Sequence, residues 1–151
     1  MALSTTKTEQ LAALVAAKQH VLEILVQLSR RQLEVIATGD MTLLMKVLSA
    51  KQTVMSQLQT IEREMTPYRD ENPDERVWRS PEDRTVCQAR AERCNSLLTA
   101  ALTLEQQAEQ AMVEKRDATG ATLAAMQTAA DARTAYAAIP TPSVATLQVE
   151  G

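Results

Sequence analysis

The sequence predicts an all-α fold: an antiparallel three-helix coiled-coil bundle with a long overhanging third helix. Three observations carry this expectation. Residues 81–138 contain no internal proline and a single glycine, Gly120. Two earlier stretches repeat apolar residues at three- and four-residue spacing and are separated only by Gly39-Asp40. The chain has no Phe, one Trp and two Tyr, so thin helix-on-helix packing is favoured over a thick aromatic core.

The first helix is expected over about residues 7–38. Leu14, Val21, Leu28 and Val35 hold one heptad seam, and Leu11, Lys18, Leu25 and Gln32 hold a mixed one. An eleven-residue reading also fits, with Leu11, Leu22 and Leu33 beside Leu14, Leu25 and Ile36, and favours nearly straight packing. The stripe is broad enough for a helix that faces two partners. Gly39 can then take the left-handed conformation that closes a helix, and Asp40 can cap the next one. So short a turn favours an antiparallel hairpin.

The second helix is expected over about residues 41–65, with Leu44, Val47, Lys51, Val54, Leu58, Ile61 and Met65 on its seam and Leu48 and Met55 widening it. Lys51 can lay its stem on the apolar surface while its amine reaches water. Pro67 is expected to stop the helix. Residues 66–80 read as a charged linker, with Tyr68, Val77 and Trp78 its large apolar anchors and Trp78 placed to pack over the end of the hairpin.

Ser80-Pro81-Glu82-Asp83 is a helix start: a capping hydroxyl, a proline at the first position and two acids at the positive end of the dipole. An unbroken helix over residues 81–138 would be roughly 87 Å long and would need another surface to cover its apolar stripe. The stripe of residues 87–112 carries Cys87, Cys94, Leu97, Leu98, Ala101, Leu104, Ala108, Ala111 and Met112. Beyond Lys115 it thins to Ala118, Thr122, Leu123, Ala125, Met126, Ala129, Ala132 and Tyr136, which bury little. This half should be the more mobile or should await a partner. The tail, residues 139–151, is expected to be extended or disordered, solvated or docked on a groove; Pro140 and Pro142 prevent helix there.

Composition also bounds the chemistry. Net charge is −3 with no basic face, which disfavours nucleic acid. No apolar run is expected to approach the roughly 18 residues of a membrane span, and the first ten residues are polar, so the reading is cytoplasmic and soluble. Cys87 and Cys94 would lie roughly 10.5 Å apart along one helix, too far for a disulfide, and they read as small residues on a buried stripe. The single histidine, His20, reads as a surface or boundary residue without a catalytic partner. No catalytic set, phosphate loop, metal motif or cofactor site is found, so no enzyme is expected. The six internal methionines fill a core in the simplest reading; the alternative is a Met, Leu and Ala groove for a partner helix.

Residues 32–52, QLEVIATGDMTLLMKVLSAKQ, resemble the leucine-rich helix, Gly-Asp turn and Lys-Gln-ended helix of the FlgN-type flagellar export chaperones. Glu92-Arg93-Cys94-Asn95-Ser96-Leu97-Leu98 is similar to that family's Asn, small, Leu-Leu stretch, and Tyr136 sits where it often has a tyrosine, though Ala137 replaces the usual glycine. The resemblance implies a cytoplasmic chaperone that holds hook–filament junction proteins unassembled and presents them to the export apparatus. It also implies client contact through the later part of the third helix, the same stretch that the thin stripe marks. The expected contacts are Met112, Leu123, Met126, Ala129 and Tyr136, with the tyrosine supplying the only large ring there. The alternatives are a structural coiled coil that homo-oligomerises and an adaptor that binds a signalling partner through Trp78 and the linker.

Overall fold

The computed structural model describes residues 2–138, with side chains for residues 5–137. Among them there is no strand. The elements are α1 (Ala2–Thr38), α2 (Met41–Arg69), a 3-10 turn (Pro73–Glu75) and α3 (Pro81–Ala138). The chain divides into one compact unit, Met1–Met112, and a second, Val113–Gly151, so α3 contributes to both. The tail expectation lies outside the described residues.

The local chemistry at the turns is as the residues require. Gly39 has φ 76°, the left-handed region, and its N–H donates to the carbonyls of Val35 and Ile36, both at 3.2 Å. Asp40 then caps α2, its Oδ1 accepting from the Leu43 N–H at 3.0 Å. Ser80 Oγ accepts from the Asp83 N–H at 3.2 Å and opens α3 at Pro81. The helix runs through Gly120, where an added Cβ would meet open space.

Two helix limits differ from expectation. α1 begins at Ala2, not near Lys7, and no proline or glycine precedes Lys7 to stop it. α2 continues through Pro67 to Arg69. A proline this close to a helix end removes one donor, and tertiary contacts hold the extra residues. Tyr68 packs against the Leu11 cluster and its hydroxyl donates to Gln10 Oε1 at 3.2 Å. The following linker is stitched down as well. Arg76 Nη2 donates to the Tyr68 carbonyl at 2.6 Å, and Thr8 Oγ1 donates to the Val77 carbonyl at 2.8 Å.

Three apolar clusters make up the core of the compact unit. Leu11, Val15 and Cys87 form the first, with Met65, Tyr68 and Trp78 against it. The largest joins Val21, Leu22, Leu25 and Val26 to Val54 and to Cys94, Leu97 and Ala101. Val35 and Ile36 meet Leu44, Val47 and Ala108 in the third. Residue numbers that rise along α1 therefore fall along α2 and rise along α3. At about 1.5–3 kcal/mol per fully buried Leu or Val, these clusters are the main favourable term.

The central seam of α1 is the mixed one. Leu11, Val15, Leu22, Leu25, Ser29, Gln32 and Ile36 are buried, whereas Leu14 and Leu28 are only half-buried. Its polar members bring their own partners. Lys18 Nζ meets Glu62 Oε1 at 2.7 Å. Lys51 is 8% exposed, and its amine, expected in water, is held by two protein acceptors; it donates to Gln32 Oε1 at 2.6 Å and to Glu105 Oε2 at 2.5 Å. A buried ammonium is costly unless paired, and here one neighbour on each of the other helices satisfies it.

One sequence expectation needs correcting. By length and composition, the helical stretch Thr5–Thr38 is apolar enough to cross a membrane, even though charged residues interrupt it. Along this stretch Ala, Val and Leu outweigh Lys18 and Glu23. A third of its most apolar part is buried inside the protein, where its apolar face meets α2 and α3.

Replacing Lys51 by Ala should lower the unfolding free energy in urea by about 2 kcal/mol, less than for a fully enclosed pair because Glu105 is half exposed. Lys51→Met, which keeps the stem, should recover part of that loss. No change in either variant would contradict a structural role for the ammonium.

Candidate functional site

The side chains named from the sequence fall into both units. Met112 closes the compact unit, while Leu123, Met126, Ala129 and Tyr136 belong to the second. All five are exposed, Met126 at 63% and Tyr136 at 77%. Every described side chain from residue 113 to 137 is exposed. A lone helix of this composition is marginal in water, since it gains no packing from its apolar face. That face is narrow. Leu123 and Met126 are its large members, with alanines around them that would let another helix approach closely.

A second surface lies within the compact unit, between α2 and α3, and sequence reasoning missed it. A groove of about 350 Å³ is lined by Leu48, Met55 and Leu58 of α2, by Leu98, Ala101 and Leu102 of α3, and by Leu25 of α1 at its floor. Met41 and Met45 extend it along α2, and Met45 and Leu102 are 62% and 60% exposed. The signal was present in the spacing. Met41, Met45, Leu48, Gln52 and Met55 form a second four-three seam beside the core seam of α2. Leu98, Leu102, Glu105, Glu109 and Met112 form the matching seam on α3. The core seams of α2 and α3 already meet the other helices of the compact unit, and among the described residues these outer seams stay exposed.

The methionines follow the same division. None of the six internal ones is buried; Met65 is half-buried against the first cluster and the rest are exposed. The core-filling expectation for them is therefore replaced by the surface one. Alanine, valine and cysteine at the close helix contacts leave little volume for methionine inside.

Trp78 is half-buried against the cluster of Leu11, Val15 and Cys87. His20 is exposed on α1. Both cysteines are free and buried, and Cys94 Sγ donates to the Val15 carbonyl at 3.8 Å. Burial pushes the Cys87 thiol above its ordinary value, partly opposed by Arg76 and Arg90. Burial does the same to Cys94, with Lys18 opposing and Glu23 adding to it. Among the described residues no group of three or more His, Cys, Asp or Glu is placed to hold a metal ion. No family model, curated protein or solved structure matches the chain.

The thiol environment has a pH consequence. The folded chain keeps these protons above the ordinary thiol value of 9.0. The stability they contribute is present below that pH and is lost as pH rises through the folded values. The urea midpoint should therefore fall more steeply above pH 9.0 in the native chain than in a Cys87→Ala, Cys94→Ala variant. Parallel pH profiles for the two proteins would contradict the assignment.

Proposed function

We propose that the protein is a helix-binding chaperone, similar in role to the FlgN-type flagellar export chaperones, working in the cytoplasm on hook–filament junction proteins before their secretion. The observation that carries this reading is the complete exposure of residues 113–137, a helix that holds Val113, Leu123, Met126 and Tyr136 in the open. We read the architecture as an antiparallel α1–α2 hairpin in a three-helix coiled-coil arrangement with the first half of α3. That leaves residues 113–138 for a partner. The capped Gly39-Asp40 turn, within the stretch that resembles the family, supports the same reading.

The mechanism is completion of a missing helix. A client's amphipathic helix lays its apolar stripe on Leu123, Met126, Ala129 and Tyr136, with Met112 at one limit of the contact. Client and chaperone thereby cover surfaces that each would otherwise expose during storage. Alanine and methionine give adaptable, shallow contacts, so release at the export apparatus remains accessible. The role is binding rather than catalysis. A structural or adaptor coiled coil is the alternative. An adaptor acting through Trp78 is the weaker reading, because that ring is already packed on Leu11, Val15 and Cys87.

Met126→Asp should weaken binding of hook–filament junction proteins at least about tenfold, or about 1.4 kcal/mol, in calorimetric titration. Because Met126 is 63% exposed, the melting temperature should hold within about 2 °C. Unchanged binding would refute the site. A large fall in melting temperature would show that Met126 is core.

A further inference from the structure

We infer that the α2–α3 groove is built to receive the helix of residues 113–138 from a second copy of this chain, in a closed two-fold pair. The inference stands on the charge, length and area of the two surfaces and does not depend on the client reading.

Charge comes first. The exposed charges on the groove seam are both acidic, Glu105 and Glu109 on α3; the α2 side lines the groove with Gln52 and with the stem of Lys51, whose ammonium is paired to Glu105. Lys51 lies below the surface, held by Gln32 and Glu105. The helix of residues 113–138 shows the converse. Arg116 lies one heptad before Leu123, Arg133 one heptad after Met126, and Lys115 eleven residues before Met126. At about 100° per residue these cations flank the Leu123–Met126 stripe, while Glu114, Asp117 and Asp131 fall on the other side of the helix. The contact of Arg116 with Asp117, at 3.6 Å between two largely exposed side chains, is weak enough to yield. An apolar stripe with cationic flanks thus fits an apolar groove with an acidic rim.

Length agrees. The groove seam from Met41 to Met55 spans roughly 21 Å, and the stripe from Arg116 to Arg133 roughly 26 Å, at 1.5 Å per residue. The area is adequate as well. Met41, Met45, Leu48, Met55, Leu98 and Leu102 expose on the order of 600 Å² of apolar surface, as much as the largest patch a monomer usually carries. In a two-fold pair each copy gives a groove and a helix, which brings the area to about the 800 Å² per partner of a standard interface.

The test uses the full chain alone, with no client, so its failure is separate from failure of the chaperone reading. Sedimentation equilibrium from about 1 μM to about 200 μM should show a monomer–dimer equilibrium that weakens as salt is raised. Leu102→Asp on the groove and Met126→Asp on the helix should each shift the chain to monomer, with helicity retained because both side chains are exposed. Mixed together, the two variants should associate again, since one intact groove then meets one intact helix. A concentration-independent monomer would overturn the inference, as would a dimer indifferent to Leu102→Asp or a mixture that stays monomeric.

Discussion

A single buried ammonium ties the compact unit together. Lys51 reaches from α2 to Gln32 on α1 and Glu105 on α3, and it lies between the cluster around Leu22 and the cluster around Val35. Apolar contacts among Ala, Val and Leu tolerate a slip of one turn; an ammonium with two fixed acceptors does not. Sliding α2 by a turn would leave Lys51 opposite apolar residues and strand Gln32. The pairing therefore sets which residues of α2 and α3 stand side by side. It also places Leu48, Met55, Leu98 and Leu102 around one groove, with the half-exposed Glu105 on its rim.

The rest follows from a chain that has almost no large rings. Without Phe, the helices pack through Val, Leu, Ala and Cys, and Leu22 and Cys94 are among the most fully buried side chains. Such packing is thin, so each helix can satisfy only the stripe that meets a neighbour. Among the described residues the second seams of α2 and α3 have no neighbour within the compact unit, and residues 113–137 are exposed throughout. Methionine is concentrated on these surfaces and at the edge of the core. Its adaptable shape suits contacts that form and release, and incomplete helix packing underlies both the exposed stripe of residues 113–137 and the α2–α3 groove.

Much of this was legible from residue types alone. Pro81 after Ser80, Gly39 before Asp40 and the three-four spacing of Leu44, Val47, Lys51 and Val54 located the helices and their turns, because local sterics and capping decide those features. The continuation of α2 past Pro67 was not legible, since Tyr68 and Arg76 hold it through tertiary contacts that no local pattern announces. The amine of Lys51 was misread as solvated for a similar reason: a seam lysine snorkels unless acceptors on other helices meet it, and Gln32 and Glu105 are distant in sequence. The groove could have been found. Met41, Met45, Leu48 and Met55 repeat at helical spacing, but periodicity on one helix shows only that a face is apolar and not whether a neighbour covers it.

The central claim is that α3 is covered along residues 87–108 and uncovered along residues 113–137. Hydrogen–deuterium exchange on the dilute, client-free chain tests it most directly. Amides around Cys94, Leu97, Ala101 and Ala108 should exchange as slowly as those around Leu22 of α1, and amides around Leu123, Met126 and Ala130 should exchange many-fold faster. Equal protection along the whole of α3 would contradict the account, because it would mean that the later half is packed against the protein rather than held out for a partner.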